Sequence, residues 1–353
     1  LIGLGLVHFL GDLLEPIMRP LFNLPGSSAF VLAMGYTSGA PIGAVLTGKI
    51  RRQNLCTKTE ATRLMAFTNN ASPLFIFGAI AVGMFDRPAL GAIIASAHYF
   101  ANICVGLILR FYGAKHQQSL SFRVHKQAGL LAKATRSLYR AYITDGRPLG
   151  KLLGDAIKSS IQTLLAIGGF IIIFSVIIEI LSTIGLLTLL AKGLSFLLSS
   201  LQLDKNLHHA LSCGIIEMTI GIKLTSETVA PLKEQLIVIS IILGWLGLSI
   251  HAQAISMVAD TDIDIRPYLF GRILHSIFAG ILVTILIRFQ NLAFVFRMPN
   301  PLLWKNPWLH SLHCLRFTLI LLCIMTLLSL LLYLLSQLNY LRKYYFSQTY
   351  LKK

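Results

Sequence analysis

Residues 67–73 read Phe67-Thr68-Asn69-Asn70-Ala71-Ser72-Pro73, and they interrupt a stretch, 64–85, that is otherwise apolar. That stretch is long enough to cross a bilayer, which takes about 20 residues of helix. Thr68, Asn69, Asn70 and Ser72 put hydrogen-bonding side chains in its middle. Pro73 removes an N–H and frees a carbonyl near Asn69. Unpaired polar groups at that depth are costly, so they belong inside protein or against a wet cavity. Packing glue between helices is the plainer role. Four polar groups beside a proline favour a broken helix that serves a solute or an ion.

The surrounding chain supports a membrane setting. Of 353 residues 55% are hydrophobic and 13% charged, with a mean hydropathy of +0.71, too little charge to cover a soluble domain. The net charge of +17 does not point to nucleic acid. Its basic residues gather in loops, as topology determinants do: Lys49, Arg51, Arg52, Lys58 and Arg63, a second group from Arg110 to Lys151, and Arg342, Lys343, Lys352 and Lys353. Anionic headgroups of the lipid bilayer account for such clusters. The five cysteines share no disulfide or metal-ligand spacing and read as apolar fillers. The chain opens at Leu1 within an apolar stretch, and an N-terminal portion with a further helix is expected to precede it.

The order of segments repeats. Segment 1–22 carries Asp12, Glu15, Arg19, Pro16 and Pro20 and suits an interfacial helix. Residues 29–48 are apolar but glycine-rich and read as a re-entrant hairpin, followed by the broken span and a plainer span over 89–111. A basic cytoplasmic linker occupies 112–152. Then come a span at 155–182, an interfacial segment at 185–203, a hairpin at 207–231, a span at 234–259 interrupted by Gly247–Gln253, and a span at 268–287. A final helix is expected at 317–337. A shift of 179 positions lays Gly35 on Gly214, Ser38 on Glu217, and Arg87-Pro88 on Arg266-Pro267. If each half crosses three times, the second is inverted relative to the first, and the basic clusters share one side. Inverted repeats with broken helices mark secondary transporters. The fold class expected is therefore an all-α polytopic membrane protein.

Within the second hairpin, Glu217 lies between Gly214 and Gly221, with Thr219 beside it. An ionisable residue inside a membrane is a functional candidate, for solute binding or for a coupling proton. Ser38 and Gly39 take the same place in the first hairpin. Ser249, His251 and Gln253 alternate, so an unwound stretch would be needed to converge them; His251 alone titrates near neutrality. Weaker signals read as structure: His98 and Asn102 as packing partners, Asp260-Thr261-Asp262-Ile263-Asp264 as a solvated loop without the glycine and glutamate of a calcium loop, His208-His209 as a loop pair, and Glu179 as a headgroup contact. No catalytic constellation, metal set or cofactor motif occurs, so the expectation is a transporter and not an enzyme.

Four motifs carry a family resemblance: Met34–Pro41, Phe67–Gly78, Gly214–Gly221 and Gly247–Gln253. The chain resembles the bacterial sporulation integral membrane proteins of the YlbJ type, with duplicated nucleoside-recognition (Gate) domains. The resemblance implies two inverted Gate-type repeats, at 1–111 and 153–290, with 291–353 holding a loop, the last helix and a basic tail. It implies a core similar to that of concentrative nucleoside transporters, with two hairpins and two broken helices around the solute. It also implies transport of dipicolinic acid across the outer forespore membrane. The solute site would draw on Ser38, Gly39, Thr68, Asn69, Asn70 and Ser72 from the first repeat and Glu217, Thr219, Ser249, His251 and Gln253 from the second. A dianion beside an ionised Glu217 would be repelled, so Glu217 is protonated, or helix-end amides hold the carboxylates, or Glu217 stands apart. An H+ or Na+ coupled nucleoside transporter, possible as an oligomer, and a non-transporting spore-envelope assembly protein are the alternatives.

Overall fold

The computed structural model describes residues 6–113, 130–197, 203–288 and Arg316. The chain divides into compact units Leu1–Ala293 and Phe294–Lys353, and the fold below is that of the first. The helix expected at 317–337 and the basic tail lie outside the described residues.

The first half runs α1 Leu6–Phe22, α2 Ser28–Ser38, α3 Ile42–Arg52, α4 Lys58–Thr68, a π-helix Leu74–Met84 and α5 Ala89–Leu109. The second begins with α6 Leu130–Asp145 and α7 Leu149–Thr183. It continues with α8 Leu186–Leu197, α9 Asn206–Ile216, α10 Met218–Glu227, α11 Leu232–Trp245, α12 Gly247–Ser256 and α13 Arg266–Arg288. From α8 onward the order of the first half returns: a short helix, a helix pair, a broken helix and a span.

Local chemistry sets these boundaries. Thr57 and Glu60 close a reciprocal capping box at the start of α4. Pro88, Pro148 and Pro231 immediately precede α5, α7 and α11, where a missing N–H costs nothing. The π-helix follows Pro73 and is wholly apolar. By length and composition, Ala89–Leu109, Gly150–Thr183, Leu232–Ser256 and Arg266–Arg288 can each cross a membrane. Every regular element among the described residues is a helix, and the protein is an integral membrane protein.

Association among membrane helices gains little from apolar burial, because lipid tails are as apolar as leucine, so small residues and polar bonds matter more. Each of the two main cores mixes both halves: Ile76, Ile80 and Ile94 pack with Leu243 and Val283, and Leu64 and Phe67 with Ala254 and Tyr268. Helix α13 contacts α4, α5 and α11. In the second hairpin α9 and α10 meet glycine on glycine: a Cβ on Gly221 would come 2.2 Å from the Gly214 Cα. Arg63, buried, donates to the carbonyls of Asn23 at 2.6 Å and Tyr112 at 2.7 Å, tying α4 to the ends of α1 and α5.

Helix α6 forms within the linker expected at 112–152 and packs on α1. Two expectations need correction. His208-His209 belongs to α9 and not to a loop. The second span does not unwind over 247–253. Its break is the pair Leu246 and Gly247, in the left-handed region at φ 77° and 81°, and α12 starts at Gly247. The Asp260–Asp264 loop is solvated but also paired. Arg51 binds Asp262 at 2.7 Å, and Arg52 binds Asp260 at 2.5 Å.

Candidate functional site

Where α4 stops, its last carbonyls need partners, because the helix no longer supplies them. Asn69 donates to Met65 O at 3.3 Å and Asn70 to Phe67 O at 3.3 Å. Asn102 of α5 also donates to Phe67 O, and Arg272 of α13 donates to Ala66 O at 2.7 Å and Asn69 O at 2.6 Å. The break is stitched further on its other side. His98 Nε2 accepts from the Ala71 N–H at 3.2 Å, and the Tyr99 hydroxyl donates to Ala71 O at 3.0 Å. Ser72 Oγ accepts from the Phe75 N–H at 3.2 Å and so opens the π-helix.

The first hairpin docks on this break. Asn69 Oδ1 accepts from the Ala44 N–H at 2.9 Å, capping α3 from outside, and Asn70 O accepts from the Ala40 N–H at 2.7 Å. In the second hairpin Glu217 ends α9 and caps α10, its Oε2 accepting from the Ile220 N–H at 2.7 Å. Trp245 Nε1, at the second break, donates to Ile215 O at 3.0 Å.

A cavity of about 220 Å³ opens where the hairpins and breaks converge. Seven of the eleven sequence-predicted residues line it: Ser38, Gly39, Asn70 and Ser72 from the first half, and Glu217, Thr219 and Gln253 from the second. Its apolar wall includes Phe75, Ile167 and Ile171. Asn70 is fully buried, and its Oδ1 has no hydrogen-bond partner among the described residues. That orphan acceptor asks for a donor.

The other four predicted residues lie outside the lining. Thr68 bonds back to Leu64 O at 2.8 Å, and Asn69 spends its side chain on Met65 and Ala44. Because α12 is helical, Ser249 and Gln253 share a face, and Gln253 Nε2 donates to Ser249 Oγ at 3.3 Å. His251 faces elsewhere, with its Nδ1 2.9 Å from the Tyr268 hydroxyl and its ring against Trp245.

Sequence reasoning missed Arg272, which lies inside α13. It is fully buried and also bonds Asn102 Oδ1 at 3.0 Å. The signal was present, since Arg272 and His275 stand in the apolar stretch 268–287, one helical turn apart. His275 Nε2 lies 2.8 Å from His98 O. No group of His, Cys, Asp or Glu with metal-binding spacing occurs among the described residues.

An integral membrane protein with paired hairpins and breaks around a small cavity of mixed polar and apolar lining is the class that fold and site define. A family model described as nucleoside recognition (Gate) matches residues 1–115 and 164–264. The chain belongs to the sporulation integral membrane proteins of the YlbJ type and carries the nucleoside-recognition sequence. It is 46% identical over 286 residues to the sporulation integral membrane protein YlbJ of Bacillus subtilis (strain 168), covering 81% of this chain and 70% of that one. An uncharacterized protein of Alkalihalophilus pseudofirmus is 33% identical over 75 residues, 21% of this chain and 16% of the other. No solved structure matches.

Proposed function

We propose that this protein is a membrane transporter of a small anionic aromatic metabolite, dipicolinic acid first, acting in the outer forespore membrane during sporulation. The observation that supports this reading is the cavity shared by both hairpins and the first helix break, with Asn70 Oδ1 unpartnered and Glu217 at its edge. Its 220 Å³ falls below the ~300–1,000 Å³ of drug-sized pockets, which favours a single-ring solute over a nucleoside. Hydroxyls of Ser38, Ser72 and Thr219 can donate to a carboxylate. Asn70 Oδ1 accepts from a protonated carboxyl of the solute or coordinates a coupling cation, and Glu217 can hold a coupling proton. The two halves, read as inverted repeats, would move against each other to expose the cavity to either side.

The direct test is uptake of labelled dipicolinate by proteoliposomes under proton and sodium gradients. Uptake above empty liposomes is expected, with Asn70→Ala and Glu217→Ala impaired. Uptake equal to that of empty liposomes under every gradient would sink the transport reading.

A further inference from the structure

We propose that Arg272 gives the first helix break a net positive character and so makes the cavity select carboxylates over neutral solutes of the same shape. This rests on the reading of the cavity as the solute site.

A broken helix brings two opposite ends together. The C-terminal end of α4 is negative through its unpaired carbonyls, and the N-terminal end of the following helix is positive. Left alone, the pair is nearly balanced and would attract neither sign. Here the negative end is covered. The Ala66 and Asn69 carbonyls both accept from the Arg272 guanidinium, and the Met65 and Phe67 carbonyls accept from neutral amide side chains. What remains is a helix start at Pro73 and one full positive charge behind it.

That charge is not cancelled nearby. The atoms bonded to Arg272 are Ala66 O, Asn69 O and Asn102 Oδ1, all neutral. Arg272 forms no carboxylate pair among the described residues, its Nε has no hydrogen-bond partner, and the side chain is 0% exposed. Burying an ion without a counterion is strongly unfavourable, so packing alone gives no account of an arginine where a neutral amide would fill the same acceptors. Its field is weakly screened in such surroundings. Asn70, next in the chain to the carbonyl that Arg272 holds, lines the cavity. The second half differs: its hairpin helix α10 starts at a carboxylate, Glu217, which offsets the positive end there. The cavity therefore has a cationic side at the Asn70–Ser72 break and an acidic side at Glu217. A carboxylate belongs against the first. Arg272 acts through the break as a positioning residue and does not itself line the cavity.

The test uses the purified full chain in detergent, with thermal stabilisation read against pyridine-2,6-dicarboxylate and its neutral dicarboxamide. Wild type should prefer the dicarboxylate. Arg272→Gln keeps N–H donors for the carbonyls and removes the charge; it should weaken dicarboxylate binding about tenfold or more while leaving the dicarboxamide within about twofold. Arg272→Lys should retain the preference. A wild type without preference, or an Arg272→Gln variant with the preference intact, overturns the assignment. If Arg272→Gln does not fold, the wild-type ratio and Arg272→Lys decide, and loss of preference in a folded Arg272→Lys counts against charge as the cause. Wild-type protein that prefers the dicarboxylate yet moves none in proteoliposomes would leave this inference standing and defeat the transport reading.

Discussion

A Cβ placed on Gly43 would stand 2.3 Å from the carbonyl oxygen of Thr68, closer than real Cβ atoms come. The same oxygen would meet a Cβ on Gly35 at 2.1 Å, so both arms of the first hairpin rest on one carbonyl at the end of α4. Neither contact can relax by a side-chain movement, because the obstacle is backbone. Gly43→Ala should lower stability by roughly 1–3 kcal/mol, as overpacking does, and Gly43→Val by more. Thermal unfolding in detergent checks this; an unshifted Gly43→Val melt would mean that the hairpin does not dock on Thr68.

Asn69 and Asn70 are neighbours with opposite roles. Asn69 caps α3 through the Ala44 N–H, so Asn69→Ala should cost roughly 1 kcal/mol of stability. Asn70 leaves its oxygen unpartnered beside the cavity, and its one hydrogen bond goes to a Phe67 carbonyl that Asn102 also serves, so Asn70→Ala should cost less stability than Asn69→Ala yet impair solute uptake. Equal losses of stability in both variants would erase the distinction.

Glu217 combines a cap with a charge. Glu217→Gln keeps an acceptor for the Ile220 N–H and should melt near wild type, while Glu217→Ala loses the cap at roughly 0.5–2 kcal/mol. Proton dependence of uptake should flatten in Glu217→Gln if this carboxyl carries the coupling proton. An unchanged proton dependence would remove Glu217 from coupling.

The Arg51–Asp262 pair joins the end of α3 to the loop after α12. Its hydrogen bond from Arg51 holds the Asp262 carboxyl below its usual range. A depressed carboxyl pKa adds stability above the unfolded value near 3.9, and this is lost as pH falls through the lower folded value. The pair is largely exposed, so its contribution at neutral pH is roughly 0.5 kcal/mol and falls with salt. Asp262→Asn should remove that acid-side dependence. A melting curve from pH 6 to pH 3 that matches wild type would show the pair to be idle.

Much of this was readable before any coordinates. The polar insertion at Asn69–Pro73 marked the break, because hydrocarbon tolerates such groups only when they are used. The glycines at 35, 39 and 43 marked the hairpin. Periodicity misled at Ser249–Gln253, where alternation seemed to require unwinding. Two successive left-handed residues, Leu246 and Gly247, let α12 restart, so only Gln253 of those three reaches the cavity. Arg272 stayed hidden because its acceptors are main-chain carbonyls of another element 203 and 206 positions away, and main-chain groups leave no trace in sequence.

The outer wall of the cavity belongs to α7, through Ile167 and Ile171, and this 35-residue helix has only 6% of its apolar window buried in protein. An isoleucine that leaves such a wall exchanges protein neighbours for acyl chains of equal polarity, at little energetic cost. The inner walls are bolted by backbone bonds and by a buried guanidinium. Thickness and fluidity of the surrounding lipid therefore bear on this wall more than on any other.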